Sequence, residues 1–368
     1  MPLHSDRSDR APRILLVRLS AIGDAIHAMP IACAVRERFP RAMLAWVVED
    51  RAAALLHGHE ALDELIVLPR GWLKSPRIVW QLHRRLRNLQ LDTAIDVQGL
   101  TKAAIVARLS GARRRIGFAR PWGREFSPWL NNELVDTTAT HVVDSNLQLL
   151  RPLGIELPEV HFRVPEPPSA GESAERIIAD HDMEDGFAVF NSGAGWASKL
   201  WPGERYAAVA QHLDRRRNLP TLIVWGSPCE RIEAERIAAA SRGSARVAPP
   251  TTLTELAAVA RRGQLFVGSD TGPLHIAAAV ATPCIGLYGP WPAERHGPYG
   301  AKHIALQEMT FTGSTRGRRK ASSAYMEAIG VELVCHACDR VLERRSTRTV
   351  ASVGEAGTDG AAVALPRP

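Results

Sequence analysis

The stretch 264-QLFVGSDTGPLHIAAAVATPCIGLYG-289 decides the fold. An apolar run, 264-QLFVGS-269, breaks at a turn containing Asp270, Thr271 and Gly272. Small apolar residues then continue at helical length, and a second apolar run, 284-CIGLYG-289, follows. This order is strand, turn, helix, strand, the βαβ unit of a parallel sheet. Asp270 and Thr271 can cap the helix, and Pro273 suits its first position. Free N–H groups and the positive end of the helix dipole then form a site for an anion. His275, within the first turn, could add a donor. An ordinary capped helix accounts for Asp270 and Pro273, but not for a histidine on a helix that is otherwise small and apolar.

The same alternation extends in both directions. Strands are expected at 13-RILLVRL-19, 43-MLAWVVE-49, 65-LIVLP-69, 93-TAIDVQG-99 and 113-RRRIGFA-119. Helices are expected from 20-SAIGDAIHAMP-30 to about Arg38, and over 51–58, 76–89 and 101–111. Pro and Ser gather in 164-VPEPPSAGES-173, the best linker. Beyond it, strands at 187–193, 220–226, 264–269 and 284–289 alternate with helices at 204–218, 229–241 and 253–263. Two α/β halves imply a cleft, with ligands at the carboxyl ends of the strands. The divisions are 1–12 disordered, 13–165 first domain, 166–175 linker, 176–320 second domain, 321–345 a C-terminal helix and 346–368 a disordered tail.

Length and a 45% hydrophobic content fit two globular domains. No apolar run reaches membrane-spanning length. The start, 1-MPLHSDRSDRAPR-13, lacks the apolar region of a signal peptide. Five cysteines without a secretory signal imply reduced thiols in a cytoplasm. The pair in 335-CHAC-338 has no second pair to complete a zinc site. The net charge is +7, unevenly spread: from Arg70 to Arg124, thirteen Lys or Arg stand against Asp92 and Asp96. Such a segment fits an anionic partner or a solvated face.

Three more loops follow expected strands. In 20-SAIGDAIHAMP-30, Asp24 can act as a general base, a cap or an orienting group. In 191-NSGAGWASKLWP-202, Lys199 can neutralise a phosphate, or be an ordinary surface lysine. In 225-WGSPCERIEAERI-237, Glu230 can grip ribose hydroxyls, or merely favour the helix dipole. No GxGxxG or Walker A loop is present.

In order, 20-SAIGDAIHAMP-30, 95-IDVQGLTKAA-104, 199-KLWP-202, 224-VWGSPCE-230, 268-GSDTGPLHIAAA-279, 286-GLYGP-290 and 296-HGPYG-300 resemble glycosyltransferase family 9, the lipopolysaccharide heptosyltransferases. The pattern is most similar to the heptosyltransferase I branch. The resemblance implies a GT-B fold, two Rossmann-like domains whose parallel sheets face a central cleft. It implies inverting, metal-independent transfer of heptose from ADP-heptose to the Kdo region of lipid A, with no cofactor. By resemblance, Asp24 is the catalytic base. Lys199, Glu230, Asp270, Thr271, Gly272 and His275 bind the donor, and Arg70, Lys74 and Lys102 bind the acceptor. The implied place is the cytoplasmic face of the inner membrane, touching anionic lipid and no nucleic acid. Thr251 falls near the expected adenine pocket. The basic insert 310-TFTGSTRGRRKASS-323 has no assigned role. Alternatives are a related transferase with another nucleotide sugar, or a non-catalytic nucleotide-sugar-binding protein.

Overall fold

The computed structural model describes residues 10–355, with side chains to 344. Its first half contains strands β1 (Arg13–Val17), β2 (Met43–Glu49), β3 (Glu64–Leu68), β4 (Thr93–Asp96), β5 (Arg114–Phe118) and β6 (Glu133–Val135). Its helices are α1 (Ile22–Arg38), α2 (Asp50–Ala53), α3 (Pro76–Asn88), α4 (Thr101–Leu109), α5 (Ser127–Leu130) and α6 (Val142–Leu147). The second half contains β7 (Ala188–Asn191), β8 (Thr221–Val224), β9 (Ala245–Val247), β10 (Leu265–Ser269), β11 (Cys284–Leu287) and β12 (Ile304–Leu306). Around them lie α7 (Pro168–Ala179), α8 (Gly203–Arg217), α9 (Pro228–Ala240), α10 (Leu253–Arg262) and α11 (Gly272–Ala279). Four more helices close the chain: α12 (Ala293–His296), α13 (Thr315–Arg319), α14 (Ala324–Glu327) and α15 (Val331–Glu355).

Both sheets are parallel and six-stranded, ordered β3-β2-β1-β4-β5-β6 and β12-β11-β10-β7-β8-β9. The order reverses between β1 and β4 in one, and between β10 and β7 in the other. These are the switch points where such sheets open a crevice at their carboxyl ends. Val17 pairs with Asp96 there, and Gly268 with Asn191. The strands read as continuous apolar runs because both faces are covered.

One apolar cluster runs from Ile14 and Leu16 through Ile26 and Met29 of α1 to Leu274 and Ile276 of α11, and on to Phe266 and Val189. Helices α1 and α11 are in direct contact. Two outer clusters lie beneath α3 and α4, and beneath α8, α9 and α15. Each Leu, Ile or Phe buried in this way contributes about 1.5–3 kcal/mol.

Three expected boundaries change. The helix expected over 51–58 is only Asp50–Ala53; the chain then turns, and Gly58 at φ +75° ends the turn. The linker expected at 166–175 is largely helix, since α7 starts at Pro168 and buries Ala170, Ala174, Ile177 and Ile178 against α10. Proline at a helix start and that apolar spacing favour helix over linker. The C-terminal helix begins at Val331 rather than 321 and continues to Glu355, past the expected tail boundary at 346. Its inner face buries Val334, Cys335, Cys338 and Val341. All five cysteines are free. The rest of the expected tail, 356–368, and most of the expected disordered start, 1–9, lie outside the described residues.

Candidate active site

Two cavities meet at the first turn of α1. One, of about 600 Å³, is lined by Ser20, Ala21, Glu49, Arg51, Arg70, Trp72, Lys74 and Lys102, among others. The other, of about 400 Å³, lies between Ala21–Gly23 and the second sheet, bounded by Gly193, Trp225, Glu230, Thr251, Thr271 and Gly272. Ala21 and Ile22 belong to both.

Asp24 stands just past that shared wall. Its Oδ2 accepts from the Ala21 N–H (3.0 Å), and its Oδ1 meets the Arg18 guanidinium (2.7 Å). Burial opposes its ionisation, but the Arg18 charge and the Ala21 N–H outweigh it and hold the carboxyl below its ordinary value. The side chain still exposes 36% of its surface. Asp24 therefore caps its own helix and remains reachable.

The basic cavity gathers the residues expected around the acceptor. Arg70 and Lys74 are exposed. Lys102 is already engaged, with Nζ on Ser20 Oγ (3.0 Å) and Glu49 Oε1 (3.1 Å). Arg51 lines the same cavity and carries no signal beyond being basic at the start of a short helix.

The residues expected at the donor divide into two groups. Glu230, Thr271 and Gly272 line the second cavity. The Glu230 carboxylate takes the Gly226 N–H (2.7 Å) and lies so close to Gly193 that an added Cβ would fall 2.3 Å from its carboxyl carbon. Lys199, Asp270 and His275 lie outside the cavity lining and bind one another. Lys199 Nζ contacts Asp270 Oδ2 (2.5 Å) and the Asp270 carbonyl (2.8 Å). Asp270 Oδ1 receives His275 Nε2 (3.1 Å). Burial opposes the Asp270 charge, but His275 and Lys199 overcome it and keep the acid ionised.

This corrects the expected capping of α11. Thr271 is the N-cap residue, but no side chain caps the helix; the Thr271 hydroxyl turns to the Ser269 carbonyl and Asn191. Asp270 faces Lys199 and His275 instead. Gly272, not Pro273, takes the first helical position. His275, expected as a ligand donor, is 5% exposed, is not among the residues lining the second cavity, and hydrogen-bonds Asp270.

His275 Nδ1 lies 3.2 Å from His27 Nε2, across the boundary between the two halves. Asp270 can only accept, so His275 Nε2 donates to it, and a hydrogen bond joins His275 Nδ1 to His27 Nε2. Burial and the neighbouring rings push His27 well below its usual range, and its Nδ1 has no partner. His27 and Arg18 were not singled out in the sequence. The signal for His27 was the same as for His275, a histidine among small apolar helical residues. Near this chain, His296 is held at about 4 by burial, with Arg295 assisting, against the pull of Asp270 and Asp24. Among the described residues, no three His, Cys, Asp or Glu side chains are arranged to hold a metal ion, and no helix is long and apolar enough to cross a membrane.

Residues 79–325 match the family model for glycosyltransferase family 9 (heptosyltransferase). The chain is 31% identical to lipopolysaccharide heptosyltransferase 1 of Pseudomonas aeruginosa, over 80% of this chain and 83% of that one. It is 28% identical to the lipopolysaccharide core heptosyltransferase OpsX of Haemophilus influenzae, over 81% and 84%. Among solved structures, a family 9 glycosyltransferase from Veillonella parvula superposes with a TM-score of 0.79 at 22% identity, covering 92% of this chain and 100% of that one. The Escherichia coli heptosyltransferase WaaC with ADP superposes at 0.71 and 24% identity, covering 89% and 99%. These superpositions show the shared GT-B fold.

Proposed function

The chain belongs to glycosyltransferase family 9 and is a heptosyltransferase-type enzyme of lipopolysaccharide biosynthesis, and from that premise we propose that it transfers heptose from ADP-heptose to the Kdo region of lipid A, with inversion and without a metal. The observation that carries the reading is the junction of the two cavities at Ala21 and Ile22, with an ionised Asp24 beside it.

The cavity against the second sheet takes the nucleotide sugar. Glu230 holds the ribose hydroxyls, Thr251 flanks the base, and the N–H groups at the uncapped start of α11 meet the diphosphate. Lys199, with Asp270 and His275 behind it, stands at that diphosphate. The basic cavity takes the acceptor, whose carboxylates and phosphates meet Arg51, Arg70, Lys74 and Lys102. The acceptor hydroxyl gives its proton to Asp24 as its oxygen attacks the anomeric carbon from the face opposite ADP. The bond to the diphosphate breaks, and its electron pair leaves with ADP. Charge on the departing oxygen is stabilised by groups already oriented before the reaction.

The acceptor half rests on the cytoplasmic face of the inner membrane. Supporting this, the exposed Trp80, Trp122, Phe126 and Trp129 all belong to that half, within or just beyond its basic segment. The test is a transfer assay with purified protein, ADP-heptose and Kdo-lipid A, with UDP- and GDP-sugars as competing donors and product anomeric configuration read by NMR. Transfer from ADP-heptose with inversion supports the reading. Transfer only from another nucleotide sugar replaces the donor.

A further inference from the structure

The insert 310–323 carries Arg316, Arg318, Arg319 and Lys320 and no acid. It is folded onto the donor half. Its helix α13 packs against the turn Ala197–Lys199. The Arg319 guanidinium lies 4.4 Å from the centre of the Trp196 ring, in the glycine-rich loop ahead of that turn. Arg318 lies 5.8 Å from the centre of the Trp291 ring, and Lys199 Nζ lies 4.5 Å from the same centre. One tryptophan ring thus contacts both an arginine of the insert and the lysine expected at the diphosphate.

Two further observations concern this place. Lys199 does not offer a free charge, because its ammonium is paired with the ionised Asp270. An incoming diphosphate meets a neutral pair, with a carboxylate beside the lysine. Second, Ser198 Oγ, Trp291 Nε1 and Arg318 Nε are buried here without hydrogen-bond partners. The tryptophan and arginine nitrogens can only donate. Unmatched buried donors are costly, and three around one turn lack an acceptor-rich group.

We propose that α13 is a second cationic arm of the donor site, in which Arg318, set on the same Trp291 ring as Lys199, contacts the diphosphate of the nucleotide sugar. Arg319 holds the arm in place on Trp196. This rests on the donor reading above and adds a residue to it. The guanidinium fork can bind two phosphate oxygens at once. As the sugar–oxygen bond breaks, the electron pair stays on the departing diphosphate. Arg318 stabilises that charge through its N–H donors, with no proton transferred.

Calorimetric binding of inorganic pyrophosphate, ADP, AMP and adenosine to wild type, Arg318→Ala, Arg318→Lys and Arg319→Ala tests it. Arg318→Ala should weaken pyrophosphate and ADP by about tenfold or more, AMP less and adenosine not at all, as fits the loss of a charge-assisted contact. Arg318→Lys should recover part of the loss. Equal pyrophosphate affinity in wild type and Arg318→Ala overturns the proposal. So does a loss that includes adenosine equally, since that reports a collapsed loop rather than a lost phosphate contact. Transfer from ADP-heptose by the same wild-type preparation judges the parent reading separately. Wild type that transfers heptose while Arg318→Ala binds pyrophosphate normally removes only the arm. Wild type that holds pyrophosphate through Arg318 yet transfers no heptose removes only the heptose donor.

Discussion

The starts of α1 and α11 are built alike and used oppositely. Each follows a central strand of its sheet, and each opens at the cleft. At α1 the helix supplies its own anion: Asp24 reaches back to the Ala21 N–H and is fixed by Arg18. At α11 the nearby acid is turned away to Lys199 and His275, and the helix start has no side-chain cap. In the proposed mechanism, one helix start holds the base, which must stay charged. The other leaves its N–H groups for a charge that arrives from outside. On that proposal the same dipole serves a resident carboxylate on one side and a visiting phosphate on the other.

The strongest way to break this comparison is to empty the first site. Asp24→Ala should reduce turnover about 10²–10⁴-fold while leaving ADP affinity near wild type. Wild-type turnover in that variant would remove Asp24 as the base. Next, Lys199→Ala should weaken donor binding and also lower stability, by at most about 3–5 kcal/mol, because the buried Asp270 keeps only His275 as a partner. Adding Asp270→Asn should restore most of the stability, read by chemical denaturation, without restoring transfer. If the double variant regains transfer, Lys199 acts only by neutralising Asp270.

Gly23→Ala tests the contact between the two helices. A Cβ there would lie 2.8 Å from His275 Cδ2, and that ring is confined by Asp270 and His27. A loss of about 1–3 kcal/mol is expected. An unchanged melting temperature would mean that α1 and α11 shift apart freely. The smallest effect concerns pH. His27 is buried and His296 and His303 are half-buried, and desolvation holds all three below 6.5, the latter two at about 4. The unfolded chain takes up protons near 6.5, whereas His296 and His303 in the folded chain resist until about pH 4, and His27 also resists well below 6.5. Stability should therefore fall as pH drops through that window. A melting temperature flat from pH 7 to 5 would contradict this.

The central strands of both sheets were legible because their apolar runs are flanked by glycine, proline and small residues. The edge strands β6, β9 and β12 were not, since three residues carry no period. Of the residues in the loop motifs, Glu230, Thr271 and Gly272 line the second cavity, while Asp24 follows the residues shared by both cavities and lines neither. The motifs could not show that Lys199 is engaged by Asp270, because that pair is 71 residues apart in the chain. His27 was equally hidden: its partner His275 is 248 residues away, and only the packing of α1 on α11 joins them. Linker-like composition misled at Pro168, where a helix start and a linker share the same residues.

The apolar cluster that passes through α1 and α11 has a consequence for heat and for engineering. Separating the halves would wet residues that neither sheet can cover alone. A calorimeter should then record one heat-capacity peak rather than two, and a nucleotide bound to one half should raise the melting point of both. A chimera joining this first half to another second half would need matched α1 and α11 surfaces, because the helices that meet at the cleft also share one apolar core.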